Sequence, residues 1–374
     1  MGKLADFRLA FLFMFEFFSS KNRVLGIDIG TTGIKAVELK KEGNVPVLTN
    51  YALSYDSGSL LQSSGLEILD GQTGEILQNI VKRGDFNTKK AVVGIPSFLA
   101  LVSFLELPEM PHNEIEKAVR FEAGKYVPTP IEEVSLGWEI VGSFIEKSVE
   151  GGQVGKHGQK MQIMVVTVPK SAVEKLNVVM KGAKLDVVAM EVENFATARC
   201  LVGNDKGNFM IANVGAKATD FTIVSGGLIR MTRSIDVGGA EISRAIASGL
   251  GVDLQRADKI KKSQQINLLN TKEHLAGLVS PVVGMIIDEI RRLQELYHRK
   301  NPLNKIEKII FTGGTSKLST LIERISSQIP VECQSGNSLA RIGVEKKYLP
   351  VVQKVAPELT VAIGLALRGF DEIS

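Results

Sequence analysis

A strand, a glycine turn and a returning strand occur twice in this chain, as LGIDIGTTGIKAVELKKEG at 25–43 and as IANVGAKATDFTIVSGG at 211–227. Apolar residues alternate on both sides of each turn, which is the pattern of a β-hairpin. The turns are Gly30-Thr31-Thr32-Gly33 and Gly215-Ala216-Lys217-Ala218, and an acid, Asp28, or an amide, Asn213, stands two residues before the first glycine of each. Glycine lets a ligand come close to the backbone, and successive N–H groups in such a turn form a concavity that favours anions. One such hairpin is ordinary structure; two facing each other would grip a polyphosphate from both sides.

A third element shares this character. KIIFTGGTSKLSTLIERI at 308–325 reads as an apolar strand, the pair Gly313-Gly314, and a helix with Leu318, Leu321, Ile322 and Ile325 on one face. The pair is expected to open the helix, so that a flat or anionic group can approach the backbone and the positive helix end.

Composition narrows the partners. A net charge of +4 from 45 basic and 41 acidic residues, with no basic stripe interleaved with aromatics, argues against nucleic acid. At 374 residues and 44% hydrophobic, the chain is expected to hold about two domains. Cys200 and Cys333 lack metal-ligand spacing, which suits a reducing cytoplasm, and the four histidines read as solvated surface rather than a zinc site.

The apolar run FRLAFLFMFEFF at 7–18 spans about 18 Å as a helix, too short for a hydrocarbon core of about 30 Å. No small-residue cleavage site follows it, so it does not read as a signal peptide. Residues 1–23 are an apolar extension: either an amphipathic element, or in part an upstream addition with Met14 as the true start.

Together, DIGTTGIK, NVGAKATDFTIVSGG and FTGGTSKL resemble the first phosphate, second phosphate and adenosine motifs of the actin/Hsp70/sugar-kinase superfamily. From about residue 14 to 370 the chain resembles the PilM family, actin-like cytoplasmic proteins of type IV pilus assembly. The segment ELPEMPHNEIEKAVRFEAGKYVPTPIEEVSLGWEIVG at 106–142 is similar to that family's inserted subdomain, and MEVENFATARCL, DEIRRLQELYH and VAIGLALRGF are further matches.

The resemblance implies an α/β fold, the actin-like, ribonuclease H-like two-lobed nucleotide-binding fold with an inserted small α/β subdomain, and ATP with Mg as ligands. Asp28 would face metal and phosphates, and Gly30, Thr31 and Thr32 would line the first phosphate loop. Lys35 would reach a phosphate oxygen or stay a solvated charge. Gly215 and Ala216 would line the second loop, Gly313 and Gly314 the adenosine side. In LQRADKIKK, Lys261 would contact ribose or adenine, or be a solvated helix charge. Asn213 stands where the second hairpin normally carries an Asp that holds magnesium through water; the amide keeps an acceptor oxygen but loses the charge. Turnover should suffer more than binding, because phosphoryl transfer is mostly positioning and charge stabilisation. Glu193 or Glu191 would orient a water. Where the family commonly shows Asn-Pro-Phe, this chain has Asn337-Ser338-Leu339.

Residues 24–96 and 184–205 are expected to form the first lobe, 97–183 the inserted partner-binding subdomain, and 206–370 the second lobe with a helical part at about 238–305. The glycine-rich stretch at 149–160 reads as a hairpin connection. The resemblance implies a scaffold at the inner membrane, peripheral through a partner: the insertion with the first lobe would take the cytoplasmic tail of a PilN-like membrane protein, an extended peptide in a groove, beside other pilus platform proteins. Phe121, Tyr126 and Trp138 are expected to pack in the core there. Self-association through INLL at 266–269 stays open. An FtsA-like filament protein and an actin-like ATPase with weak turnover are the alternatives. FtsA-like chains continue into a membrane helix where this one reads RGFDEIS, and neither a sugar kinase's catalytic base nor a chaperone's substrate domain is found.

Overall fold

The computed structural model describes residues 22–55, 69, 71–150, 153–262 and 272–373. The apolar run at 7–18, Met14 and INLL at 266–269 lie outside the described residues. In chain order the elements are β1 (Arg23–Gly30), β2 (Gly33–Glu42), β3 (Val45–Tyr55), α1 (Gly71–Gly84), β4 (Lys90–Ile95), β5 (Leu101–Pro108), α2 (His112–Ala123), β6 (Val134–Glu150), β7 (Gln153–Pro169) and α3 (Lys170–Gly182). There follow β8 (Asp186–Val192), α4 (Glu193–Leu201), β9 (Asn208–Val214), β10 (Thr219–Ser225), β11 (Leu228–Ile235), α5 (Gly239–Leu250), α6 (Leu254–Lys262) and α7 (Lys272–Lys300). The chain closes with β12 (Lys308–Thr312), α8 (Ser319–Ser326), β13 (Glu332–Ser335), β14 (Gly343–Val344) and α9 (Leu349–Ile373).

Two sheets repeat one topology. The first runs β14-β3-β2-β1-β4-β8 and the second β11-β10-β9-β12-β13. In each, three consecutive strands form an antiparallel meander, and two parallel strands then extend the sheet on the far side of the meander's first strand. Parallel strands need covering helices on their faces, which is why their sequences are near-continuous apolar runs. Ala91, Val92, Val93 and Ile95 of β4 and Ile309, Ile310 and Phe311 of β12 are all buried. The duplicated hairpin of the sequence is thus the start of a duplicated half, as the actin-like fold requires.

Helix α9 is apolar and long enough by length to cross a membrane, yet it departs from the expected second lobe at 206–370: together with β14, which pairs with β3, it belongs to the first lobe as its central helix, with Leu359, Ala362, Ile363, Leu365 and Ala366 buried. It packs on β1, β2, β4 and α4. A Cβ added at Gly364 would overlap the Ala196 carbonyl oxygen, so the α4–α9 crossing depends on a glycine.

The third sheet, β5-β7-β6, carries α2 on one face, with Leu105, Ile115, Val119 and Ile163 in a separate small core. The glycine-rich stretch joins β6 to β7, which pair as far as Glu150 and Gln153. Helix α3 departs from the expected boundary at 183. Its Val173, Leu176, Val179 and Met180 join Ile27, Leu77 and Val93 in the first lobe's core, so by packing the insertion ends at β7. Phe121 and Tyr126 also depart from expectation: they are 70% and 63% exposed, while Trp138 is half-buried against His112. His298 is not simply solvated, because its Nε2 accepts from the Ile306 N–H at 3.1 Å.

Candidate functional site

The two hairpins match residue for residue. In the first, Gly30 is opposite Gly33, with Thr31 and Thr32 at the tip, and Asp28 is opposite Lys35. In the second, the Gly215 N–H donates to the Ala218 carbonyl at 2.9 Å, with Ala216 and Lys217 at the tip, and Asn213 is opposite Asp220. Cross-strand partners share a face of the sheet. Asp220 therefore occupies the position that Lys35 holds in the first hairpin. Sequence reasoning passed over Asp220, although the equal spacing of 28 to 35 and 213 to 220 was there to find it.

Asp28 is 4% exposed, and its Oδ2 lies 3.2 Å from Lys35 Nζ. A Cβ on Gly30 would stand 2.5 Å from that ammonium, so Lys35 lies over the glycine of the turn rather than out in solvent. Burial alone would lower the Lys35 pKa; the charge and hydrogen bond of Asp28 outweigh it, helped by Glu193 and Glu358, and the net shift is upward. Gly33 has φ +153°, and a Cβ there would overlap the Ser54 carbonyl oxygen of β3. No other residue fits that turn.

Helix α4 begins at Glu193, at the end of β8, and places this side chain beside both hairpins. Its carboxyl is held well above the usual carboxylate range by burial and by Asp28 and Asp220, offset by Lys35 and by a hydrogen bond from the Ser97 N–H. Glu191 has another role: Arg199 grips it with two nitrogens at 2.5 and 2.6 Å and also donates to the Gly364 carbonyl. Of the two acids offered by the sequence, Glu193 is the one set among Asp28, Lys35 and Asp220 of the two hairpins. Burial lifts Asp220 to about 6, with Ser234 and Ser97 beside it holding it back.

Gly313 has φ +89°, and a Cβ there would lie 2.5 Å from the Val214 carbonyl oxygen and 2.6 Å from Asn213 Oδ1. The third motif thus closes directly onto the second hairpin. The pair does not open a long helix: Gly314–Lys317 form a 3-10 turn and α8 starts only at Ser319, so the helix end is displaced from the glycines. The carbonyl of Gly215 accepts from Gly239 N–H at 3.0 Å and Thr315 Oγ1 at 2.8 Å, and that of Ala216 from Ala240 N–H at 2.8 Å. The second turn therefore caps α5, and this helix end is spent on the protein's own carbonyls.

Lys261 Nζ donates to the Gly239 carbonyl at 2.8 Å and Ser243 Oγ at 2.7 Å, and pairs with Asp258 at 2.7 Å. Its three protons are all engaged: two tie α6 to α5 and the third pairs with Asp258 within α6. Burial lowers the Lys261 pKa, whereas Asp258, against its own burial, is drawn down to about 2 by Lys261 and Lys262. Tyr55 Oη donates to Glu358 Oε2 at 2.6 Å, and Glu358 pairs with Lys317. This links the end of β3 through α9 to the turn after Gly314.

For a magnesium ion the donor set is lean. Asp28 supplies one buried carboxylate and Asn213 one amide oxygen, and among the described residues no group of three or more His, Cys, Asp or Glu converges on a point. That suits magnesium carried mainly by phosphate oxygens and water, and it does not suit an all-protein cage.

The fold has solved counterparts. The chain is similar to the structure described as a PilM–PilN type IV pilus biogenesis complex, at 25% identity and TM-score 0.77, over 94% of this chain and 98% of that one. It shares its fold with MreB5 of Spiroplasma citri bound to ADP, at 12% identity and TM-score 0.52, over 95% and 98% of the two chains. In sequence it is 23% identical over 227 residues to the cell division protein FtsA of Agrobacterium fabrum, covering 54% of this chain and 50% of that protein. The chain spans about half the length of the curated relatives it matches. The family model for type IV pilus assembly protein PilM matches residues 26–370, nearly the whole chain, and on that match the chain belongs to the PilM family.

Proposed function

We propose that this protein is a nucleotide-binding scaffold of the type IV pilus assembly platform, holding ATP with magnesium between its two hairpins and the tail of a PilN-like membrane protein against its inserted subdomain. The observation that carries the nucleotide reading is the pairing of Asp28 and Lys35 on one hairpin with Asn213 and Asp220 on the other, joined through Glu193, with Gly313 closing against Asn213. When bound, magnesium supplies charge neutralisation to the phosphates. Asp28 would face the metal, the turn Gly30-Thr31-Thr32 and Lys35 would take one side of the phosphate chain, and Gly215 and Ala216 the other. Asn213 offers an oxygen without charge, so the metal and the attacking water are held less strongly, and hydrolysis is slow on that count.

The tail-binding half rests on the family and on the solved PilM–PilN complex. It places the protein at the cytoplasmic face of the inner membrane through its partner. The test is a titration of a synthetic tail from a PilN-like protein of the same genome into the full chain, with and without ATP. Saturable binding supports the scaffold; a tail that does not bind in either condition refutes it. Sedimentation of the same sample distinguishes a scaffold from an FtsA-like filament, which would pellet on addition of ATP.

A further inference from the structure

Helix α9 of the first lobe meets the second lobe in two ways, one residue apart. At Pro357 the contact is buried: the carbonyl accepts from the Gly313 N–H at 3.1 Å and from Thr312 Oγ1 at 3.2 Å, and the Thr312 and Thr360 hydroxyls stand 2.6 Å apart. Both threonines are buried. With no water to replace its hydrogen bonds, this point is costly to break.

At Glu358 the contact is open to solvent. Its Oε2 accepts from Tyr55 Oη at 2.6 Å and its Oε1 pairs with Lys317. Tyr55 ends β3 in the first lobe, whereas Lys317 ends the turn after Gly313 in the second. Lys262 of α6, also in the second lobe, holds its ammonium 6.0 Å from the centre of the Tyr55 ring, within reach of a cation–π contact, and pairs with Asp258 at 2.7 Å. Tyr55 is 57% exposed and the Lys262 side chain 67%, so water can take the place of these contacts at small cost. Burial and the bond to Glu358 raise the Tyr55 pKa, which keeps its hydroxyl a donor at neutral pH.

This cluster borders all three glycine motifs. Tyr55 is opposite Gly33 of the first turn, and a Cβ on Gly314 would lie 3.4 Å from Glu358 Cγ. Lys261, next to Lys262, holds the carbonyl of Gly239, whose N–H donates to Gly215 of the second turn.

We infer that Tyr55, with Glu358, Lys317 and Lys262, is a latch between the two lobes that sets how fast a nucleotide enters and leaves. A ligand gripped by turns from both lobes is released only when the lobes part. The buried contact at Pro357 is the pivot, and the exposed bridge through Tyr55 is what opens. The closed form carries the bridge with or without ligand, so the latch governs rates and leaves affinity nearly alone. Its effect on the nucleotide rests on the reading above; the bridge between the lobes does not.

The test is stopped-flow binding and release of methylanthraniloyl-ATP with magnesium, on the full chain, for the wild type, Tyr55→Phe and Glu358→Gln. Tyr55→Phe keeps the ring and removes only the donor. Both variants speed entry and release together, by about fivefold, with Kd changed by less than about twofold. Rates unchanged in both variants overturn the latch. Faster release with unchanged entry also overturns it, because Tyr55 would then be a contact of the bound nucleotide. Hydrogen exchange of residues 313–318, without nucleotide, reads the bridge on the lobe that Tyr55 does not belong to. Faster exchange there in both variants supports the bridge, and unchanged exchange overturns it. If the labelled ATP does not bind, the nucleotide reading fails, and the exchange result alone decides whether the lobes are bridged.

Discussion

Asn213 and Asp220 face each other across the second hairpin at the two positions that Asp28 and Lys35 hold in the first. The acid missing from the outgoing strand is present on the returning one. It does not restore the lost position, because Asn213 Oδ1 is aimed at Gly313 while Asp220 lies beside Glu193, Ser97 and Ser234. The second hairpin keeps a carboxyl group but carries it on the returning strand.

That relocation has a stability cost which titrates. Asp220 is raised to about 6 in the folded chain from 3.8. Its neutral form is favoured on folding, so its contribution is fully present below pH 3.8 and is lost as pH rises through 6. The loss is at most on the order of 3 kcal/mol. Asp220→Asn should therefore stabilise the protein at pH 8 and change little at pH 4, as read by urea denaturation at the two values. Equal effects at both would show that Asp220 is not perturbed.

Two glycines of the first turn should respond differently to alanine. At Gly33 the new Cβ meets the Ser54 backbone at a positive φ, and Gly33→Ala should cost about 3 kcal/mol or more. At Gly30 it meets only the movable end of Lys35, so Gly30→Ala should fold within about 1 kcal/mol of wild type while weakening ATP binding about tenfold. Thermal melts and a binding titration on both variants check this pair of outcomes.

Lys261 should behave as a structural residue. Removing its ammonium leaves the Gly239 carbonyl and Ser243 short of a donor, and Lys261→Ala should lose about 2 kcal/mol of stability. Any fall in ATP affinity should be smaller than that of Gly30→Ala. A variant with unchanged melting temperature and abolished binding would instead make Lys261 a ligand contact.

Much of this was legible in the sequence because it is carried by spacing. Alternation around Gly30 and Gly215 gives hairpins, and the acid or amide two residues earlier gives the end of each first strand. What spacing cannot give is which long-range neighbour a side chain meets. Glu191 and Glu193 are two residues apart, and only the fold shows that Arg199 takes one and the cleft the other. Helix α3 is amphipathic in the sequence, but the periodicity does not say which sheet its apolar face covers, and 97–183 therefore takes in a helix that packs on the first lobe. Phe121 and Tyr126 read as core residues by type, yet α2 has only one face on its small sheet and Phe121 lies off it, while Tyr126 stands in the turn after the helix, exposed.

The central claim is that the two hairpins close on one nucleotide and that Asn213 mutes its hydrolysis. Calorimetric titration of ATP with magnesium into the full chain, followed by phosphate release on the same sample, tests it most directly. The account predicts one binding event per chain with release near background, and faster release in Asn213→Asp. No heat of binding in the wild type would contradict it, and would leave the hairpins as the architecture of a peptide-binding platform.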